Sequence, residues 1–450
     1  MKNEKHQSWV QLPNGYLSRT PMFQFIILCL IFPLWGAAAS LNDILITQFK
    51  TVFTLNDTAT AFVQSAFYGG YFLMAIPASI IIKKTSYKLA ILIGLLFYII
   101  GCGMFFPASH VATYSMFLAA IFAIAIGLSF LETSCDTYAT MFGPQESANK
   151  RLNVANVLIP LGDIMGIVLG KYLIFGEGGN IADKVAKMSP AEAKVYNQHL
   201  LQLTLRPYKY ILIVLIIIFI VLAITKMPRA KAFATSSTVE EALEEQPSLV
   251  ETFKYLFHNK RYMKGVLCQF IYAGMQTTVW SFTIRLALRL DSHISDSAAS
   301  TFMIYSYLAW FFGKLVANWF LNRYSITKVL TWFSLLGTIS LIVTFTVPNI
   351  TAVIAAIITS FFFGPEWPTI YAHTLDQIHE KKYTETGGAF IVMALIGGAI
   401  VPAIQGRVSD LTGSMQFSFI VPAICFALIT IYFWTEHKWE LAHPNEVQEH

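Results

Sequence analysis

About twelve apolar stretches, each roughly 20 to 30 residues long and separated by mostly short polar connections, dominate the sequence. At about 1.5 Å rise per residue, such a stretch crosses a hydrocarbon core as a helix, and a helix satisfies its own backbone where there is no water. The weaker alternating pattern of an outer-membrane barrel is not what these stretches show. The chain has 450 residues, 55% of them hydrophobic and 13% charged, with mean hydropathy +0.57. That is more apolar surface than a soluble domain of this length can bury, so the expected class is an all-α, multi-pass integral membrane protein.

Spans are expected near 22–48, 60–82, 89–107, 112–142, 152–175, 208–226, 262–289, 297–322, 328–347, 350–376, 384–410 and 416–435. Lys83, Lys84 and Lys88, Lys150 and Arg151, the stretch Lys226 to Lys264, Arg323 and Lys328, and Lys381 and Lys382 fall in alternate connections. The positive-inside rule turns these toward the cytoplasm and places both termini there, in a bacterial inner membrane. Segment 176–207 is the exception, with Lys184, Lys187, Lys194 and Arg206, but Glu177, Asp183 and Glu192 balance them. Ala37-Ala38-Ala39 resembles a signal-peptidase site, yet the polar region before Met22 is long and the helical stretch continues through Asp43, so an uncleaved first span is expected.

The five cysteines all lie in apolar stretches, without metal-ligand spacing, and act as small apolar residues. No phosphate-binding loop, nucleophile elbow or dinucleotide fingerprint is present. These features argue against an enzyme, a cofactor, a bound metal and ATP-driven pumping. The net charge of +5 is accounted for by topology and not by nucleic acid.

ASIIIKKTSYK, Ala78 to Lys88, resembles ANWFLNRYSITK, Ala317 to Lys328, about half the chain later. A basic turn repeated after spans two and eight is what a parallel duplication of six spans predicts, the architecture of major facilitators. The expected organisation is a cytoplasmic segment 1–21, a first half 22–226, a linker 227–260 with the acidic run Glu240, Glu241, Glu244 and Glu245, a second half 261–436, and a cytoplasmic tail 437–450.

Ionisable groups at membrane depth cost at least about 2.5 kcal/mol, so each needs a partner, a wet cavity or a function. Asp43, Glu132, Asp136, Asp163, Arg285, Lys314, Glu366, His373 and Arg407 lie in expected spans. Asp43 stands alone in a long apolar helix; a carboxyl at a cavity can take up a proton when dry and release it when wet, although a wetted helix end would also hold an acid there. Glu132 is mid-span, and its carboxyl can accept from sugar hydroxyls or, protonated, donate. Asp136 is one turn further on the same face and either extends the site or bonds locally. Asp163 follows Pro160 and Gly162, where freed backbone groups compete with function as its explanation. Glu366 sits between Pro365 and Trp367, with Pro368 beyond, where span ten is expected to break. Asn42, Gln64, Asn156, Gln269, Gln276, Trp280, Trp367 and Tyr371 are further candidates, since amides meet hydroxyls and rings stack on the C–H faces of a sugar. Singly, each is more often a helix-packing group or an ordinary lipid-facing ring.

Several segments together resemble the L-fucose–proton symporter family of major facilitators: LNDILITQF (41–49), QSAFYGGYF (64–72), FLETSCDTYATMFGP (130–144), RLNVAN (151–156), KMSPAEAKVY (187–196), QFIYAGMQTTVWSFTIR (269–285), FFGKLVANW (311–319) and FIVMALIGGAIVPAIQG (390–406). The resemblance implies that Asp43 takes part in proton transfer, that Glu132 binds sugar and couples binding to protonation, and that Asn156 lines the sugar cavity. Departures from the fucose pattern are Ser40 and Ile159, each in place of an asparagine, and Asp136-Thr137 in place of Asn-Pro. Lost amides can shift specificity. The expectation is a monomeric importer of L-fucose or a related hexose in symport with protons. A glucose/galactose carrier, perhaps sodium-coupled, and a non-transporting sugar sensor are the alternatives.

Overall fold

Where the apolar runs lie, the chain is helical. The computed structural model describes residues 9–12, 15–53, 57–111, 113–173, 188–230, 247–290 and 296–443. The first half contains α1 (Met22–Cys29), α2 (Phe32–Val52), α3 (Asp57–Lys84), α4 (Tyr87–Val111), α5 (Tyr114–Met141), α6 (Ala148–Asn156), α7 (Ile159–Leu173) and α8 (Pro190–Ile224). A short helix, α9 (Leu249–His258), precedes the second half. That half contains α10 (Lys260–Leu290), α11 (Asp296–Leu321), α12 (Ile326–Thr346), α13 (Ile350–Phe362), α14 (Glu366–Asp376), α15 (Thr384–Met393), α16 (Gly397–Thr412) and α17 (Ile420–Ala442).

Four passes are broken. α1 and α2 are separated by a turn ahead of Pro33, and α6 and α7 by one ahead of Pro160. Residues 363–365 interrupt α13 and α14, where the proline-flanked Glu366 predicted a break, and a 3-10 turn joins α15 to α16. Counting each broken pair once, ten passes among the described residues are long and apolar enough to cross a membrane. α10 and α11, of 31 and 26 residues, fill the places of the seventh and eighth of the twelve expected spans. α10 is less apolar because it carries Gln269, Gln276, Thr277, Thr278 and Ser281 into the bundle.

The sixth pass is longer than the 208–226 expected. α8 begins at Pro190 because Ser189 and Glu192 form a reciprocal capping box with proline in the first turn, and Pro207 is accommodated inside the helix. At about 52 Å it exceeds a hydrocarbon core. α17 runs to Ala442, past the expected boundary at 436. The acidic run 240–245, and Lys184 and Lys187, lie outside the described residues.

The connections after α3, α5, α11 and α14 share one end of the bundle, which carries Lys83, Lys84, Lys150, Arg323 and Lys382 and is called here the basic end. Two side chains there terminate helices. Lys88 donates to the carbonyls of Ala223 (2.8 Å) and Thr225 (2.9 Å) at the end of α8. Arg151, buried, donates to the carbonyls of Ala139 (3.1 Å), Thr140 and Pro144 (2.7 Å) at the end of α5. Cations on terminal carbonyls complement the helix dipole and satisfy its last acceptors. α9 docks at the same end: Phe253 and Phe257 pack on Phe390, and Tyr255 stacks on Tyr383 at 4.2 Å.

Within each half, helices meet at backbone distance. A Cβ on Gly162 would lie 1.8 Å from the carbonyl oxygen of Pro33, and one on Gly313 would lie 1.9 Å from that of Phe361. In lipid, close packing of this kind replaces the hydrophobic effect as the force between helices. The largest apolar cluster fills the first half and continues into Tyr371 and Leu375 of α14, Ile378 in the connection after it, and Ala389, Ile391 and Val392 of α15 at the basic end. The second half has its own cluster, to which the first half adds buried Ile167.

Candidate functional site

The broken passes open the centre of the bundle. A cavity of about 150 Å³ lies between the halves. From the first half it is lined by Trp35, Gly36, Ala39 and Asn42 of α2, Phe67, Tyr68 and Tyr71 of α3, Glu132 and Asp136 of α5, Asn156 of α6, and Ile159 and Asp163 of α7. The second half contributes Ala273, Gln276, Thr277, Trp280 and Ser281 of α10, Tyr307 and Trp310 of α11, Trp367 of α14 and Leu395. Since each enclosed water needs roughly 10–15 Å³, the space suits a small polar solute such as a monosaccharide.

Polar atoms in this wall lack protein partners. The Oδ1 atoms of Asn42 and Asn156, Nε2 of Gln276, and Nε1 of Trp35 and Trp310 have no hydrogen-bond partner among the described residues. Buried polar groups are nearly always satisfied, so a cluster of them at one cavity marks ligand positions. The donors and acceptors alternate with ring faces. Trp280 meets Tyr307 and Trp310 edge-to-face, at 4.8 and 5.0 Å, and its indole N–H donates to Ser360 Oγ at 3.1 Å. This fixes a rigid aromatic corner opposite the acids. Glu132 and Asp136, one turn apart on α5, face this corner across the cavity. Tyr71 stands beside Glu132, and Trp367 and Asn156 beside Asp136. One acid accompanied by a hydroxyl and another by two N–H groups can bind a polyol and exchange a proton.

Between the cavity and the basic end, the halves are tied together. Thr137 and Tyr371 hydroxyls lie 2.8 Å apart, and Asn153 Nδ2 donates to Thr369 Oγ1 at 3.2 Å. Gly388 lets α15 press onto that contact, since a Cβ there would lie 2.5 Å from Tyr371 Oη and 2.6 Å from Thr137 Oγ1. Buried Lys83 of α3 and Glu385 of α15 are charge neighbours across the same plane. In the cavity wall itself, Tyr68 Oη and Thr277 Oγ1 approach to 3.1 Å.

Of the residues singled out from sequence, Asn42, Glu132, Asp136, Asn156, Asp163, Gln276, Trp280 and Trp367 line the cavity together. Tyr371 lies outside the lining, in the closure below it. Glu366 is fully buried at the start of α14, near Cys268 and Tyr272, and is not among the lining residues. The side chains of Asp43 and Gln64 lie outside the described residues; their backbones belong to α2 and α3. Of the departures from the fucose pattern, Ile159 and Asp136 face the cavity. Ser40 bonds the Gly36 carbonyl (2.9 Å) and packs on Gly166. Trp35, Tyr71, Tyr307 and Trp310 were not anticipated. Their one signal is spacing, as in Trp35, Ala39 and Asn42 on a single helix face.

Comparisons with known proteins agree with this architecture. A profile of the Major Facilitator Superfamily matches residues 22–291 and 265–449. The L-fucose-proton symporter of Escherichia coli is 33% identical over 416 residues, covering 92% of this chain and 93% of that protein. A glucose/galactose transporter of Brucella abortus is 28% identical over 412 residues, covering 91% and 93%. The crystal structure of a Major Facilitator Superfamily transporter, FucP, in the outward conformation superimposes with a TM-score of 0.80 at 33% identity, covering 92% of this chain and 98% of that one.

Proposed function

The chain belongs to the Major Facilitator Superfamily, and on that footing we propose that it imports L-fucose, or a closely related hexose, in symport with protons. The observation that carries the reading is the central cavity, where two acids of α5 face an aromatic corner from the opposite half. The relationship to an L-fucose-proton symporter over nearly the whole chain supports the same substrate class. The protein sits in the bacterial inner membrane as a monomer, with the basic end and both termini in the cytoplasm. The halves rock about the cavity, and the arrangement described is the one shut toward the cytoplasm.

In this mechanism Glu132 binds a sugar hydroxyl and exchanges a proton, and Asp43 is its partner in coupling. Asn42, Gln64, Asp136, Asn156 and Gln276 supply hydrogen bonds, and Trp280 supplies a stacking face. Tyr371 acts in closure below the sugar. Glu366 lies behind the wall and acts on the break in the tenth pass.

Addition of L-fucose, D-galactose, D-glucose or D-mannose to a lightly buffered suspension of expressing cells tests the reading. Alkalinisation with L-fucose alone is the expected result. Alkalinisation with another sugar keeps proton symport and moves specificity to Asp136 and Ile159. Sodium-dependent uptake of glucose or galactose without alkalinisation replaces the reading by the second one, whose sugars are those named for the Brucella relative.

A further inference from the structure

Sugar binding and proton exchange leave buried Lys314 without a role. Lys314 of α11 is 2% exposed, and its ammonium has no hydrogen-bond partner among the described residues. It lies 4.5 Å from the ring centroid of Trp310, one turn back on the same helix, whose indole lines the cavity. Its charge neighbours are Asp163 of α7 and Asp136 of α5, both cavity-lining acids of the opposite half. The backbone of Lys314 is closely packed: a Cβ on Gly364 would lie 2.5 Å from its backbone nitrogen, so α11 is pressed against the broken tenth pass at this level. Lys314 itself is not a lining residue. It stands behind the wall with a ring of its own half on one side and two acids of the other half beyond.

An ammonium in such a place must be compensated, because an isolated buried charge is far costlier than a paired one. The acids need it equally. Asp136 and Asp163 come from neighbouring passes, and without a cation the wall would hold two like charges in a poorly solvated space. A cation also attracts the face of the Trp310 ring and fixes its tilt.

We propose that Lys314 is a positioning residue for substrate binding, one ammonium from the second half that orients Asp136 and Asp163 of the first half and the Trp310 ring of its own helix around the solute. Through it the sugar-binding wall is electrostatically continuous across the moving interface. The charge matters more than the packing: methionine matches the stem without the charge, and arginine keeps the charge.

The inference rests on the transport reading for its kinetic test, which uses purified full-length protein in proteoliposomes with L-fucose as probe. Lys314→Met is expected to raise KM on the order of tenfold, since it leaves buried acids uncompensated, while Lys314→Arg stays close to wild type. Combining Lys314→Met with Asp163→Asn restores the net charge of the cluster and is expected to recover most of the loss. A packing role would not produce that recovery. If Lys314→Met alone fails to insert, the double variant decides: recovered insertion and uptake support the proposal, and their absence overturns it. Wild-type KM in Lys314→Met also overturns it. If wild type moves no sugar, the transport reading falls by itself, and melting temperatures of the same variants then judge the cluster. Restoration by Asp163→Asn supports it, and no restoration overturns it.

Discussion

The hydroxyls of Thr137 and Tyr371 lie 2.8 Å apart, one on α5 and one on α14, so a hydrogen bond joins the halves below the cavity, in addition to that from Asn153 to Thr369. A proline at 137, as in the fucose pattern that this chain otherwise resembles, has no hydroxyl to make it. Removing the bond by Tyr371→Phe or Thr137→Val is expected to favour opening at the basic end about fivefold, from roughly 1 kcal/mol per buried hydrogen bond. A cysteine at Thr386, fully buried near this contact, would be alkylated correspondingly faster. An unchanged rate would remove the bond from the closure.

Gly388→Ala acts on the same contact by wedging. Its methyl would meet both hydroxyl oxygens inside 3 Å, so the expected change has the same direction as that of Tyr371→Phe. The two substitutions share one target and should fall well short of additivity when combined. Additive alkylation rates would show that Gly388 acts elsewhere.

Glu132→Gln mimics a permanently protonated acid. The expected carrier binds sugar over the whole pH range and exchanges it in counterflow, but does not accumulate it against a gradient. Asp43→Asn is expected to lose gradient-driven uptake and keep binding. Binding calorimetry at several pH values, together with uptake, checks both; normal accumulation by either variant withdraws its coupling role.

Arg151 holds three carbonyls at the end of α5 and the Ser147 hydroxyl at 2.6 Å. Arg151→Met leaves these acceptors buried and is expected to destabilise the protein by about 3 kcal/mol, read as a lower melting temperature in detergent. Lysine, which lacks the planar fork, should recover only part of it.

Glu380, 3.0 Å from Lys382, raises that ammonium above its usual range by hydrogen bonding, and the same ammonium lies 3.9 Å from Glu251 of α9. A group with a raised folded value stabilises at lower pH and loses the contribution as pH climbs through it, so the contacts that hold α9 should persist at neutral pH and weaken only above the ordinary lysine range of about 10.4. Amide exchange in α9 checks this. Loss of protection already between pH 7 and 9 would contradict it.

Much of the bundle was legible because a membrane leaves few options: apolar length marks a pass, and Pro365 and Pro368 announce a break. Glu132, Asp136 and Asn156 were legible because polar groups are rare in such helices. Rings were not, since Trp35, Tyr71, Tyr307 and Trp310 read the same whether they face lipid or a cavity, and only tertiary packing distinguishes them. Glu366 shows the converse, a buried acid at the break in its pass that is not among the lining residues. The early start of α8 was written in Ser189, Pro190 and Glu192, but its charged residues made the segment read as a loop.

The two kinds of contact divide labour. Inside the halves, Gly162 against Pro33 and Gly313 against Phe361 interlock backbones that cannot slide without losing dense packing. Between them, the hydrogen bonds run hydroxyl to hydroxyl at Thr137–Tyr371 and Tyr68–Thr277 and amide to hydroxyl at Asn153–Thr369, and separating such a pair exchanges a protein bond for one to water at a net difference of about 0.5–1.5 kcal/mol. These bonds therefore hold neither arrangement firmly. The machine itself then has no preferred direction, and whichever ion and solute concentrations prevail on the two sides determine which way it runs.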